Sequence, residues 1–293
     1  MAAQSTPVEL AESSFTTELV GELRLAIGQR AGKDIAVSQY SRGALRVFRP
    51  HYLDATPQVC YTIINPGGAY LGADKYGIDI TVHAGSSLLL TTQSATKIYK
   101  TPQGPAQQHM LITLEDDAVL EYIPDQLIAY REATYLQDTV VKMGSSSSFI
   151  MCEVLTPGWS PDGSQFSYDL LRMRTEVQVD GELAALDNLW IQPADQAIDS
   201  SLYFNEATHV GMLLAVDRQI DAAMAAELRE LSYRIAAEQA DNVQVGISLT
   251  AMHGVAVRTL STSTESANAV LMSVVNFLRA RLRGQEPMNL RKN

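Results

Sequence analysis

Apolar and polar residues alternate with a period of two through most of the first 215 residues of this 293-residue chain. The segment Leu171 to Asp180 is the clearest case, because its even-numbered positions are all charged or amide-bearing. Side chains of a β-strand point alternately to its two faces, so such a segment predicts a strand with one buried face. Gly- and Pro-containing turns such as Asn65–Gly68 separate these segments. The chain is therefore predicted to be mainly β, with strands stacked as a layered or helical β structure.

Two α-helices are predicted near the carboxyl end of the chain. Apolar residues recur at helical spacing after Asp217, which is predicted to cap the first helix. The second helix is predicted to begin near Thr262, where Thr262 and Glu265 have the spacing of a capping box, and to end at Gly284. The tail, residues 284–293, is expected to be mobile or bound to a partner.

Composition and charge exclude several classes of protein. Hydrophobic residues make up 46% of the chain, which is enough for a sizeable core. The 33 acidic residues exceed the 22 Lys and Arg residues, and the resulting net charge of -11 disfavours binding to nucleic acid or to anionic membranes. Cys60 and Cys152 are far apart, so a disulfide framework or a structural zinc site is not expected. Because the sequence shows neither a secretory signal nor an apolar run long enough to span a membrane, we expect a cytoplasmic protein.

Motifs of common enzyme classes are missing from the sequence. It contains no Gly-rich phosphate loop, no dinucleotide-binding glycine pattern and no nucleophile elbow. The five histidines are isolated, and none forms a pair with metal-ligand spacing. An enzymatic function is therefore disfavoured.

The segment from Asn65 to Tyr130 carries most of the functional information. Carboxylates and hydroxyl groups recur here among apolar strands, as in the hydroxyl-rich stretch from Thr91 to Thr96 and at Glu121. Such groups are predicted to line an internal polar channel.

Four blocks of this segment together resemble the UreD (UreH) family of urease accessory proteins. They are an N-P-G-G turn at 65–68, a Gly-x-Asp triplet at 72–74, a T-T-x-x-A-T-K-x-Y block at 91–99 and an L-E-x-x-P-x-x-x-I block at 120–128. The structural residues of these blocks are predicted to be Gly67, Gly68, Gly72, Thr92, Lys97, Tyr99 and Pro124. The resemblance extends from Ala44 onward, and we predict one domain over residues 1–293, to which residues 1–43 add N-terminal strands.

The resemblance implies a non-enzymatic scaffold and nickel metallochaperone. A protein of this family is expected to bind apo-urease and UreF, to recruit the GTPase UreG through UreF, and to act as a dimer within the accessory complex. The resemblance also implies a strand-dominated fold with two helices. It implies that nickel is bound transiently and delivered to urease, and that there is no organic cofactor.

A nickel conduit needs ligands that hold the ion weakly, and carboxylates, hydroxyls and waters suit this better than Cys and His clusters. The candidate path residues are Asp74, Asp79, Glu121, Glu153 and Glu176. Each has the alternative interpretation of a surface acid or a salt-bridge partner, and for Glu176 the neighbours Arg172 and Arg174 favour that alternative. The candidate UreF contact, assigned by family analogy, comprises Phe277, Arg279, Arg281 and Arg283.

The sequence departs from the family pattern at two positions. Many family members have glycine at the position of Ala73, and many have arginine at the position of Trp159. If position 73 needs a positive φ, alanine is strained there.

Two alternative functions place different demands on these residues. A β-sandwich hydrolase would need paired carboxylates, such as Asp74 and Glu121, about 5–10 Å apart in an open cleft. A scaffold that only remodels apo-urease would need no nickel path.

Overall fold

A computed structural model describes residues 19–198 and 200–290. Predictions that fall on residues 1–18 therefore lie outside the described residues. The strands are β1 (Gly21–Arg30), β2 (Lys33–Gly43), β3 (Arg46–Val47), β4 (Val59–Ile64), β5 (Lys75–Val82), β6 (Ser87–Thr92), β7 (Thr96–Ile98), β8 (Ala106–Leu114), β9 (Val119–Ile123), β10 (Leu127–Ala129), β11 (Thr134–Met143), β12 (Ser148–Leu155), β13 (Leu170–Val179), β14 (Glu182–Ile191), β15 (His209–Val216), β16 (Gln244–Leu249) and β17 (Gly254–Ser261), and the helices are α1 (Ala222–Ala237) and α2 (Thr264–Arg283).

Two large sheets stack face to face. A seven-stranded sheet has the order β14-β13-β11-β8-β5-β1-β2, and a ten-stranded sheet has the main order β16-β17-β15-β12-β9-β6-β4-β3, with β7 and β10 beside it. Neighbouring strands from β1 to β13 in the first sheet, and from β4 to β12 in the second, are parallel. The chain passes back and forth between the sheets, so each coil adds strands to both. The predicted mainly β, layered architecture with two carboxyl-terminal helices is confirmed.

The space between the two sheets holds the main hydrophobic core. Every second residue of β13, from Leu171 to Val179, is buried, whereas the intervening residues such as Arg172 are only partly buried. The same alternation occurs in β5 and β8. The period-two prediction of which face is buried is therefore confirmed for these strands.

A second core lies on the other face of the ten-stranded sheet, where α1 and α2 cover it. Leu228 of α1 and Val274 of α2 are fully buried there, as the helical spacing predicts. Cys60 and Cys152 are buried in the same core and are not joined by a disulfide bond. Burial raises the pKa of the Cys152 thiol to about 12, so it stays protonated at neutral pH.

The helices begin slightly later than predicted. Asp221, rather than Asp217, caps α1, because the Asp221 carboxylate accepts the Met224 N–H, whereas Asp217 accepts the Gln219 N–H in the preceding turn. The N-cap of α2 is Ser263 rather than Thr262. Its C-cap is Gly284, at a φ of 62°, as the sequence predicts.

The motif residues form the turns that connect the coils. The Asn65 side chain accepts the Gly67 N–H, and Gly68 has a φ of 79°. A Cβ atom on Gly72 would approach the Thr101 backbone, which explains the glycine. Ala73 itself adopts a φ of 62°, so this alanine occupies the left-handed region that glycine tolerates better.

Two further motif residues close the next turn. The Thr92 hydroxyl accepts the Asp125 N–H at 2.8 Å, and Pro124 immediately follows the last residue of β9. The carboxyl-terminal tail up to Leu290 folds back on α2, where the Met288 N–H donates to the Asn276 side chain at 2.8 Å.

Candidate metal path and partner surfaces

Polar side chains interrupt the apolar core between the two sheets. Tyr76 on β5, Gln108 on β8 and Gln137 on β11 pair in one register row across three neighbouring strands, and all three side chains are buried. Because parallel in-register strands repeat one face from coil to coil, a polar residue at this level on each strand produces a continuous line of polar groups.

Hydrogen bonds extend this line toward Asp74. The Tyr70 hydroxyl donates to Gln108 Oε1 at 2.6 Å, and its ring stacks on Tyr76 with centroids 3.8 Å apart. The Tyr76 hydroxyl donates to Asp74 Oδ2 at 3.0 Å, and the Leu71 N–H donates to the same oxygen at 2.8 Å. Asp74, a predicted path residue, therefore lies at one end of the line.

Glu153 lies at the other end, where the line crosses to the ten-stranded sheet. Gln137 Nε2 donates to Glu153 Oε1 at 2.9 Å, and the Tyr135 hydroxyl donates to Gln137 Oε1 at 3.1 Å. We use the name interior polar row for the set formed by Asp74, Tyr76, Tyr70, Gln108, Tyr135, Gln137 and Glu153.

Burial raises the pKa of Glu153 from its ordinary value of 4.5 to about 7. The hydrogen bond from Gln137 and the charge of Arg258 act in the opposite direction, and the Asp187 carboxylate reinforces the increase. Near neutral pH this carboxyl group therefore exchanges between neutral and charged forms. Burial also raises the pKa values of Tyr70 and Tyr135 well above their ordinary value, so both keep their hydroxyl protons.

An ion pair between Arg258 of β17 and Asp187 of β14 follows Glu153 and joins the two sheets. It lines a largely apolar groove of about 630 Å³ between β14 and β16, the strands at matching ends of the two sheets. The interior polar row thus leads from Asp74 toward this groove.

Glu121 has a different environment from the one predicted for a path ligand. It points to the helix-covered face of the ten-stranded sheet, is fully buried, and forms ion pairs with Arg279 and Arg283. Arg279, 1% exposed, also contacts Asp54 at 3.2 Å and Gln58 at 3.1 Å. These contacts fasten the end of α2 to the sheet.

The enclosure of Glu121 contradicts the paired-carboxylate hydrolase. The Glu121 carboxylate is fully buried and faces the helices, so it has no access to an open cleft. Asp74 instead immediately precedes β5, which belongs to the other sheet. The two groups therefore do not form the exposed pair that glycoside hydrolysis requires.

Comparison with known proteins identifies the family. The profile described as "UreD urease accessory protein" matches residues 19–293. Proteins named urease accessory protein UreD are similar over nearly their whole length: the one from Arthrobacter sp. (strain FB24) is 47% identical, covering 97% of each chain, and one from Corynebacterium glutamicum (strain ATCC 13032) is 46% identical, covering 94% of this chain and 99% of the relative. The relative from Bacillus cereus (strain ATCC 10987) is 31% identical over 93% of this chain.

The chain belongs to the UreD family.

Two further candidate carboxylates of this UreD family member lie on the outer face of the seven-stranded sheet. Glu176 accepts hydrogen bonds from Gln178 and from Arg174, and both lower its pKa. Asp79 is half-buried, and partial burial raises its pKa. Neither belongs to the interior polar row.

The predicted UreF contact is divided between surface and interior. Arg281 is exposed, forms an ion pair with Glu227 at 3.2 Å, and lies 5.6 Å from the centre of the partly buried Phe277 ring. Arg279 and Arg283 are instead engaged by Glu121. The surface-accessible part of the predicted contact therefore narrows to Phe277 and Arg281.

Sequence reasoning missed the amide and phenol groups of the interior polar row. Gln108 and Gln137 stand at inward positions of β8 and β11, where alternation predicts apolar side chains. A glutamine on the apolar face of a strand was the available signal. No comparable sequence signal pointed to the contact between Asp187 and Arg258, because these two residues are 71 positions apart in the sequence.

Neither a metal-binding cluster nor a membrane-spanning helix is found among residues 19–198 and 200–290. No group of three or more His, Cys, Asp and Glu side chains is arranged to hold a metal ion. No helix has the combined length and hydropathy that crossing a bilayer requires.

Proposed function

We propose that this UreD family member is a non-enzymatic, cytoplasmic scaffold for urease maturation that conducts nickel through its interior. In this proposal it binds apo-urease and UreF, recruits UreG through UreF, and acts within a dimeric accessory complex. Nickel is its cargo and is bound only in passing. The relatives' names support the urease accessory role, and the interior polar row supports the route for the ion.

The observation that carries the nickel route is the row of oxygen-bearing side chains between Asp74 and Glu153. Hydrogen bonds join some neighbours in this row, and ring stacking or strand register places the others side by side. Burying an ion among apolar groups alone costs far too much, so a route through a core has to supply polar partners. Carboxylate, amide and phenol oxygens bind nickel less tightly than thiolate or imidazole clusters do. A row of such groups suits an ion that must move on.

Glu153 is the central ligand in this proposal, because its carboxyl titrates near neutral pH. A neutral Glu153 leaves no net charge in the core when the path is empty. An arriving cation displaces the proton and obtains a carboxylate partner. Among the five candidate carboxylates, the proposal gives the path to Asp74 and Glu153.

The test is to replace Glu153 with Gln, which keeps the size and the acceptor for Gln137 but removes the charge. The matched control is Glu176→Gln on the outer sheet face. Each variant is co-expressed with urease, UreF and UreG, and the complex is isolated by size-exclusion chromatography. We expect both variants to form the complex, and only Glu153→Gln to reduce the nickel content and activity of urease, by several-fold or more.

Two outcomes would count against the proposal in different ways. Normal nickel content in urease matured by Glu153→Gln would refute the path and leave a scaffold that only remodels apo-urease. Failure of the wild-type chain to associate with UreF or apo-urease would refute the scaffold role itself.

A further inference from the structure

The two sheets differ in how their outward sides are covered. Among residues 19–198 and 200–290, α1 and α2 are the only helices, and both pack on the ten-stranded sheet. The strands from β1 to β13 of the seven-stranded sheet are parallel neighbours, and parallel sheets usually have both faces covered. We use the name outer sheet face for the outward-pointing residues of the seven-stranded sheet.

Large apolar side chains are exposed on the outer sheet face. The exposed fractions are 38% for Leu111, 54% for Leu186 and 46% for Trp190. Strand register places Leu111 and Leu186 in one row, with Val140 and Glu176 between them. Trp190 lies four residues further along β14, on the same face. Several exposed apolar side chains on one face mark an interaction site better than a single one does.

The chain enters this sheet from its outer side. Tyr76 and Ile78 of β5 point into the core, so Gly77 between them faces outward. A Cβ atom on Gly77 would lie 2.9 Å from Leu19 Cδ1, which shows that the Leu19 side chain lies over Gly77. Residues 1–18 therefore join the described part of the chain at the outer sheet face.

The outer sheet face has an excess of two basic groups in a chain whose net charge is -11. Outside the hairpin turns, its outward strand positions hold the cations Arg24, Arg42, Lys75, Lys142, Arg172 and Arg174 and the carboxylates Glu22, Asp79, Asp138 and Glu176. His109 lies among them, and burial lowers its pKa, so it is neutral at physiological pH.

The sequence of residues 1–18 complements this face. It contains three glutamates, no Lys, Arg or His, and the apolar residues Leu10 and Phe15. Acidic residues at the strand ends, such as Asp169 and Glu182, repel an acidic segment that leaves the strands. Charge therefore favours a path across the outer sheet face.

We propose that the outer sheet face is the docking site for residues 1–18 of this chain, with Leu10 and Phe15 covering its exposed apolar side chains. Four strand spacings separate Gly77 on β5 from β14, about 19 Å. The nine residues from Leu10 to Leu19 span about 30 Å when extended, so the segment is long enough to reach Trp190. The UreD profile begins at residue 19, so this docking concerns a segment outside the family model.

Cross-linking of the full-length chain tests the position of the segment. A zero-length carbodiimide joins a carboxylate to a lysine amine only where the two are in contact, and mass spectrometry of the digest identifies the pairs. We expect links from Glu9 or Glu12 to Lys142, which is exposed on β11, two strands from Gly77. Lys97 of β7, beside the ten-stranded sheet, is the control and should give none. Raising salt from about 50 to about 500 mM should reduce the links to Lys142, because the attraction is screened.

Fluorescence tests the apolar part of the contact. In a chain carrying Trp159→Phe, Trp190 is the single tryptophan, and acrylamide quenching reports its access to solvent. We expect Leu10→Ser combined with Phe15→Ser to increase this quenching about two-fold, because an uncovered ring becomes accessible. Ser13→Ala combined with Ser14→Ala changes the same segment without removing an apolar side chain, and it should leave the quenching unchanged.

Each possible outcome decides the assignment. Links to Lys97 as frequent as those to Lys142, or no link to Lys142 together with unchanged Trp190 quenching, would overturn it. A mixture of unlabelled and isotope-labelled chain identifies links between copies; if all links to Lys142 were of that kind, a second copy would supply the segment, and the assigned occupant would be wrong. These measurements need neither urease nor UreF, so their failure would leave the proposed function unchanged.

Discussion

The buried ion pair at the end of α2 predicts a large loss of stability when its carboxylate is removed. Glu121→Gln keeps the shape of the side chain but leaves the Arg279 guanidinium without its main counter-charge at 1% exposure. Breaking a buried pair from one side typically costs about 3–5 kcal/mol. Asp54, at 3.2 Å, remains as a second partner, so we expect a cost near the lower end, about 3 kcal/mol.

An exposed ion pair between α1 and α2 provides the control. Arg281 and Glu227 lie 3.2 Å apart, but their side chains are 51% and 43% exposed. Such pairs contribute about 0–1 kcal/mol, so Glu227→Gln should barely change stability. Urea unfolding of both variants, followed by circular dichroism, measures the difference, which corresponds to a midpoint shift of roughly 1–2 M.

Replacement of both partners separates charge burial from packing. Glu121→Met combined with Arg279→Met removes the two most deeply buried charges and keeps apolar volume, while Arg283 and Asp54, each 15% exposed, lose a partner. The double variant should therefore recover part of the stability lost in Glu121→Gln. Equal stability of Glu121→Gln and Glu227→Gln, within about 0.5 kcal/mol, would refute the reasoning, because it would mean that the Arg279 charge reaches solvent.

Three further predictions follow from single positions. Ala73→Gly should raise the free energy of unfolding by up to about 1 kcal/mol in thermal melts, since φ is 62° there; a decrease would show that the flexibility of glycine in the unfolded chain outweighs the relieved strain. The pKa of Glu153 is about 7 in the folded protein and 4.5 for the ordinary group in the unfolded chain. Between these pH values the folded state keeps a proton that the unfolded state has lost, so the free energy of unfolding falls as the pH rises. The advantage of Glu153→Gln over wild type should therefore grow by up to about 3 kcal/mol from pH 5 to pH 8; a pH-independent difference would contradict the assignment. Gly158→Ala should lower the melting temperature by several degrees, because φ is 87° and a Cβ atom would lie 2.4 Å from the Ala129 carbonyl oxygen; an unchanged melting temperature would show that this turn can rearrange.

Local sequence patterns predicted the secondary structure well because each pattern has a local cause. Alternation in β13 and the apolar stripe of α2 depend only on which face of the element is covered. The predicted helix starts were less accurate. The N-cap of α1 is Asp221, four residues after the predicted one, and the N-cap of α2 is Ser263, one residue after the predicted one. Several residues in each preceding turn have side chains that can cap a helix, so the pattern does not single one out.

The interior polar row depended on information that alternation does not contain. The pattern around Glu121 shows that it opposes Leu120 and Tyr122, but not that α2 covers its face. The partner Arg279 lies 158 residues away in the sequence. Glu153 is on the inward face of β12 and meets Gln137 of the other sheet. Two carboxylates with the same local pattern thus have different environments, which only the stacking of the sheets decides.

This difference determines how a loss of urease maturation should be interpreted. Glu121→Ala and Glu153→Ala are both expected to impair maturation, but the first acts through the docking of α2 and the second through the proposed path. The double variant Glu121→Met with Arg279→Met distinguishes the causes, because it restores packing without restoring a carboxylate at 121. If that variant regains urease nickel together with its stability, no charge at position 121 is needed for nickel delivery. If stability returns and nickel does not, Glu121 belongs to the path after all.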